Sequence, residues 1–122
     1  MGDLTPAIDE LLPLTPTVFH ILLALADQER HGYGIMQEVR EMTQNQVRMG
    51  PGTLYGSIKR MLKANLIEES DERPDPELDD ERRRYYRLTD LGQRVLAAEA
   101  QRLSALIGVA QAKRILGGAE VF

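Results

Sequence analysis

Apolar residues along this chain recur first at helical spacing, then briefly at a spacing of two, then again at helical spacing. Thr5 and Pro6 can start a short helix with Ile8, Leu11 and Leu12 on one side, and Pro13 stops it. A piece this short is marginal alone, so residues 1–14 read as an arm that packs on another element or another subunit. Thr15 as N-cap and Pro16 at the first helical position begin a second, central helix, apolar on nearly all sides up to Ala26. After a polar turn at residues 27–30, a helix from His31 or Tyr33 to Met42 turns Ile35, Met36 and Val39 inward. Residues 43–46 form a turn and residues 47–49 a brief extended segment.

Gly50 then breaks the chain ahead of a helix over residues 51–63. At about 100° per residue, Leu54, Ile58, Met61 and Leu62 form its core-facing stripe. Gly52, Gly56, Lys59, Arg60 and Lys63 lie opposite, with Thr53 and Ser57 on one flank and Tyr55 on the other. A glycine inside a helix costs about 1 kcal/mol relative to alanine, so Gly56 needs a reason. Close approach of another surface is one, and among Lys, Arg, Thr, Ser and Tyr that surface is a nucleic-acid groove. The plainer alternative is a solvated cationic face.

Beyond Asn65 the period changes to two. Residues 66–70 and 84–89 read as strands, with Tyr85, Arg87 and Thr89 alternating with Tyr86 and Leu88. Between them residues 71–81 are acidic and broken by prolines, the tip of a long hairpin. Thr89 and Asp90 start the last helix, which runs to about Leu116 and ends at Gly117–Gly118. Leu96, Ala100, Leu103, Ile107 and Ala110 repeat at spacings of four and three, a coiled-coil seam of about two heptads. The expectation is a homodimer made with this helix and aided by the arm; the alternative is a helix packed on its own domain.

Composition removes several function classes. A chain of 122 residues, 43% hydrophobic and 28% charged, is one domain of ordinary soluble composition. No apolar run reaches the roughly 20 residues of a membrane span, and no cleavable leader is visible. Zero cysteines exclude disulfides, thiolate metal sites and cysteine nucleophiles, and weakly favour the cytoplasm. His20 and His31 are too few and too far apart for a metal centre. Gly50-Pro51-Gly52 makes a turn rather than a nucleotide cradle, and no nucleophile motif stands out. Neither an enzyme, a cofactor nor a metal is expected.

Net charge is −4, which argues against a polyanion partner until its distribution is read. Residues 42–67 contain no acid, while Arg48, Lys59, Arg60 and Lys63 contribute +4. Residues 68–81 hold nine acids against Arg73 alone, and Arg82, Arg83, Arg84 and Arg87 follow. One face is built to meet negative charge.

Helix, helix, basic helix and hairpin is the order of a winged helix-turn-helix, whose third helix enters the major groove. Here the chain resembles the PadR family of bacterial transcriptional regulators. The resemblance rests on His31-Gly32-Tyr33-Gly34-Ile35, on Gly52-Thr53-Leu54-Tyr55 with Leu62 and Leu66-Ile67, and on Arg84-Tyr85-Tyr86-Arg87-Leu88-Thr89 with Gly92. It covers roughly residues 18–96, and the single helix after Thr89 is similar to the family's compact subgroup. It implies a mainly α fold with a small β-hairpin: an arm at 1–14, a winged helix-turn-helix at 15–89 and a C-terminal dimerisation helix at 90–118. It also implies a dimeric repressor, often released by a small molecule.

On the residues themselves, Lys59, Arg60 and Lys63 would neutralise phosphates or reach guanine edges. Thr53 and Ser57 would donate to phosphates or bases, and Gly56 would allow approach. Tyr55 is either a half-buried packing ring or, through its hydroxyl, a phosphate contact; Tyr33 poses the same choice. Arg82, Arg83 and Arg84 either meet phosphates or only pair with the acids beside them. The expected partners are operator DNA with a pseudo-palindromic site, a second copy of the chain and a small-molecule effector, and no membrane. A winged-helix protein-interaction adaptor, favoured slightly by the acidic loop, and a small-molecule sensor with a pocket at the dimer seam are the alternatives.

Overall fold

An α-helix leaves its first amides without partners, and three of the four α-helices among the described residues begin on a side chain that accepts one. Thr15 Oγ1 accepts from the Val18 amide at 3.3 Å at the head of α1 (Pro16–Ala24). His31 Nδ1 accepts from the Gly34 amide at 3.0 Å at the head of α2 (Gly32–Met42), which fixes that nitrogen as unprotonated. Thr89 Oγ1 accepts from the Gly92 amide at 2.9 Å at the head of α4 (Asp90–Ala112). The fourth, α3 (Pro51–Lys63), opens on a residue without a side chain, Gly50. The computed structural model describes residues 7–70 and 84–116. The expected start at Thr5–Pro6, the acidic tip at 71–81 and the Gly117–Gly118 stop lie outside the described residues.

Three helix ends share one device that the sequence does not advertise. Gln44, Asn65 and Arg114 adopt positive φ (50°, 65° and 64°) just after α2, α3 and α4. The next amide in each case reaches back five residues: Asn45 to the Arg40 carbonyl, Leu66 to Met61, Ile115 to Ala110. These are the left-handed caps in which glycine is usual. Without that glycine as a signal, periodicity carries α4 to Leu116; the helix stops at Ala112. At the arm, the expected short α-helix is a 3₁₀ turn at Ile8–Leu11 that packs on α4 of the same chain.

The expected two-stranded hairpin is part of a three-stranded antiparallel sheet. β2 (Ile67–Glu69) and β3 (Tyr85–Leu88) pair as anticipated, Ile67 opposite Leu88 and Glu69 opposite Tyr86. A third strand, β1 (Arg30–His31), lies on the other side of β3, with Arg30 opposite Tyr86 and His31 opposite Tyr85. Two residues are too few to show an alternation, so the segment reads as part of a polar turn. The Arg30 side chain also ties β1 to the helices. Its Nε donates to the Ala24 carbonyl at 2.8 Å, and its other end pairs with Asp27 and Glu38. α1 ends at Ala24 rather than Ala26, its last turn tightened by bonds from the Leu25 amide to the Leu22 carbonyl and from the Ala26 amide to the Leu23 carbonyl.

Ile21 and Leu22 of α1, Ile35 and Val39 of α2, Leu54, Ile58 and Met61 of α3, and Val95 and Leu96 of α4 form one buried cluster. Truncating one such side chain to alanine costs about 2–5 kcal/mol, so this seam fixes how α3 is carried. Ile67 and Tyr86 close it from the sheet. Burial, and after it the carboxylate of Glu69, pushes the Tyr86 hydroxyl above the ordinary phenol range. Gly92 is required where α4 starts, because any side chain there would run into the Leu66 carbonyl. Thr89 Oγ1 also donates to the Asn65 carbonyl at 2.7 Å, so the end of α3 and the start of α4 are locked together.

Candidate nucleic-acid interface

α3 is amphipathic, and its buried residues are Leu54, Ser57, Ile58 and Met61. Its outer face presents Gly52, Thr53, Tyr55, Lys59, Arg60 and Lys63, all exposed, with Gly56 partly covered. One assignment from periodicity needs correction. Ser57 is 1% exposed and belongs to the buried side; its hydroxyl accepts from Arg60 Nη2 at 3.3 Å. It therefore has no surface to offer a ligand and instead holds the Arg60 guanidinium. Leu62, assigned to the stripe, is only half-buried.

Gly56 is unconstrained from within. A side chain there would meet only Arg60 Nη1, at an ordinary contact distance of 3.8 Å. Gly32 is the opposite case, since a side chain there would overlap the Tyr55 hydroxyl. Tyr55 thus spans from α3 to the head of α2, with 41% of its surface exposed. Glycine at position 32 is what lets the ring lie there. Tyr33, one residue on, is 62% exposed and stacks on His31 at 6.4 Å between centroids, while His31 meets the Tyr85 ring edge-on at 5.2 Å.

Ion pairing sorts the cations. Arg84 pairs with Glu69 at 3.2 Å, and Arg87 with Glu68 at 2.9 Å and Glu29 at 3.6 Å. The hydrogen bond to Glu68 is the main reason the Arg87 guanidinium is held above its ordinary range. Arg94 pairs with Asp90 and Arg102 with Glu99. Lys59, Arg60, Lys63, Arg40 and Arg48 have no ion pair among the described residues. That set sits on α2, α3 and the segment between them, whereas the paired arginines lie on the sheet and the body of α4; Lys113 and Arg114, just past the end of α4, are likewise without an ion pair among the described residues. Of the wing arginines, Arg84 is described and neutralised, whereas Arg82 and Arg83 lie outside the described residues.

The seam residues of α4 divide as well. Leu96 is part of the chain's own core, a correction to its assignment as an intersubunit contact. It lies in the first two turns, where α4 still covers α1. Ala100 is exposed, Leu103 and Ala110 are half-buried, and Ile107 is exposed. Leu106, 53% exposed, and Val109 extend the apolar surface beyond the seam, which a strict four–three pattern passes over. Among the described residues no group of acids and histidines could hold a metal ion, and no helix is long and apolar enough to cross a membrane.

Comparison with known proteins agrees with this geometry. The profile of the "Transcriptional regulator PadR-like family" matches residues 21–98. The transcriptional regulator Rv3488 of Mycobacterium tuberculosis is 35% identical over 99 residues, covering 81% of each chain. A 37.1 kDa transposon protein of Streptomyces fradiae is 33% identical over 88 residues, and the match spans only 23% of its length. Among solved structures, a PadR family regulator of Clostridium difficile superposes with a TM-score of 0.65 at 28% identity, covering 80% of this chain and 97% of that one. Bacillus subtilis PadR, solved in complex with operator DNA, shares the fold with a TM-score of 0.58 at 22% identity, over 70% of this chain and 47% of that one.

Proposed function

The chain belongs to the PadR-like family of transcriptional regulators, and on that premise we propose that it is a homodimeric repressor of a pseudo-palindromic operator. α3 enters the major groove, and half-sites lie about one helical turn apart. One observation carries this reading: the unpaired cations Lys59, Arg60 and Lys63 surround a glycine, Gly56, that nothing among the described residues requires. Thr53 donates to phosphate or base, and Tyr55 and Tyr33 reach the backbone. Ser57 serves by positioning Arg60 rather than by contact. The structure of Bacillus subtilis PadR with operator DNA supports DNA as the partner.

Leu103, Leu106, Ile107, Val109 and Ala110 support α4 as the dimer contact, since isolated domains rarely leave such a surface open to water. The wing contributes least: Arg84 meets DNA only by leaving Glu69, and Arg82 and Arg83 are assigned to phosphates on sequence position alone. The protein acts in the cytoplasm. A second reading, a small-molecule sensor, has one observation in its favour. An open cavity of about 520 Å³ lies between the 3₁₀ turn and α4, lined by Asp9, Leu12, Pro13, Ala98, Gln101 and Arg102.

The test is a mobility shift with DNA from upstream of its own gene. Affinity should fall steeply between low and physiological salt. Lys59→Ala with Arg60→Ala should abolish binding and leave thermal stability within about 0.5 kcal/mol, as expected for exposed positions. Flat salt dependence, or melting of that variant, contradicts the reading.

A further inference from the structure

The unpaired cations include two that α3 does not carry, and they share a cleft. Arg40 and Arg48 line a cavity of about 200 Å³ together with Tyr33, Met36, Gln37 and Met49. Tyr33, Gln37 and Arg40 stand on one face of α2, at spacings of four and three. Arg48 faces them from the segment that leads into α3. Met49 is buried and Met36 packs on the core, so the floor is apolar and fixed while the rim is polar.

The segment bearing Arg48 is braced before any ligand arrives. Thr43 Oγ1 donates to the Val39 carbonyl at 2.7 Å and accepts from the Val47 amide at 3.1 Å, and Gln44 and Asn45 turn the chain through positive φ. Two guanidinium groups on one small cleft repel each other, and no carboxylate among the described residues neutralises either. This contrasts with Arg30, Arg84 and Arg87, each held by an acid on its own surface. A rigid cleft with two unshared arginine forks, a phenol and a carboxamide suits a tetrahedral oxyanion.

We propose that this cleft takes one backbone phosphate of duplex DNA, just outside the groove that α3 enters. The proposal rests on the DNA-binding reading above and adds to it an anchor that fixes register without reading bases. The cleft adjoins the N-terminus of α3 in the chain, and its Tyr33 is next to Gly32, where the Tyr55 ring of α3 lies; on this proposal an extended polyanion that meets Lys59 and Arg60 continues past Tyr33 and Arg48. A helix-turn-helix whose earlier helix crosses the phosphate backbone has that geometry.

The experiment needs no operator, because a phosphate contact is indifferent to sequence. Binding of the full chain to two unrelated random duplexes of about 30 base pairs is titrated with salt, two half-site spacings fitting easily within that length. One neutralised phosphate adds about 0.9 to the salt slope for each protomer, about 1.8 for a dimer. Arg40→Gln with Arg48→Gln should lower the slope by that amount and weaken both duplexes equally. Arg94→Gln, which removes a paired arginine on α4, should not move it. An unchanged slope in the double variant, or a loss confined to one duplex, overturns the cleft while leaving α3 intact. Should the wild type bind neither duplex at low salt, the DNA-binding reading itself falls.

Discussion

Replacing Gly56 with alanine separates folding from function in one change. The new methyl group meets only Arg60 Nη1 at 3.8 Å, so none of its described neighbours has to move. Alanine is favoured over glycine inside a helix by about 0.8–1 kcal/mol, and the gain should appear nearly whole at this position in α3. For a chain of this size that corresponds to a rise of about 3–5 °C in melting temperature. The comparison requires equal protein concentration, because dimerisation would link stability to it. Binding should move the other way. A methyl group inserted where the helix backbone lies against a groove forces the two surfaces apart, and overpacking of this kind costs about 1–3 kcal/mol, roughly 5- to 150-fold in affinity. Calorimetry and a mobility shift on the same preparations decide it. A variant that is more stable and binds DNA as well as the wild type removes Gly56 from the interface. A variant that is less stable shows that Gly56 answers to the fold.

Two further outcomes follow from the charge pairs. Glu69→Gln frees the Arg84 guanidinium from a half-exposed pair worth about 0–1 kcal/mol, so stability should barely change while duplex affinity rises about 2- to 5-fold at low salt; unchanged affinity would mean that Arg84 faces away from DNA. Glu99 should govern acid sensitivity. Its carboxylate is 2% exposed and is held below the usual glutamate range chiefly by the hydrogen bond from Arg102, with the Leu14 amide helping against the effect of burial. The stability it contributes is complete above the unfolded value of about 4.3 and drains away as pH falls through the lower folded value. Melting curves from neutral to acid pH should show wild type and Glu99→Gln converging as pH drops below about 4. A gap that stays constant across that range would sink the assignment.

The helices and the wing strands are legible because each leaves a repeating trace: a stripe of Leu54, Ile58 and Met61, or Tyr85 to Leu88 alternating. Caps at Thr15 and Thr89 are legible too, as hydroxyl residues ahead of apolar runs. What escapes is whatever acts once. β1 is two residues long, and its partner strand lies more than fifty residues away in sequence. The left-handed stops at Gln44 and Arg114 use residues that more often continue a helix; Asn65 alone is of a type that favours that conformation. Ser57 lies within one helical step of both faces, and neighbouring packing rather than angle decides that it is buried. Leu96 and Ile107 obey the same repeat, but the first is covered by α1 and the second stays exposed among the described residues. Periodicity fixes a direction around a helix axis, not what stands on that side at a given height. Likewise no local pattern says that Gly32 exists to seat Tyr55, because the two meet only after α2 and α3 have packed.

The negative net charge, which first stands against a DNA partner, becomes intelligible once the pairs are assigned. Glu29, Glu68 and Glu69 are engaged with Arg87 and Arg84, and Asp27 and Glu38 with Arg30. Their carboxylates sit on the sheet, beside α1 and, for Glu38, on α2, and each has a cationic partner within about 4 Å. Across residues 42–67 no acid intervenes, and the four cations there have no ion pair among the described residues. Beyond about 8–10 Å salt screens the remaining surface charge, which makes the local balance decisive and the sum nearly irrelevant. It follows that the wing's arginines work against their own carboxylates whereas those of α2 and α3 do not. Affinity should therefore reside in the helix-turn-helix, and the wing should act as a contact whose strength is set by how readily Glu69 releases Arg84.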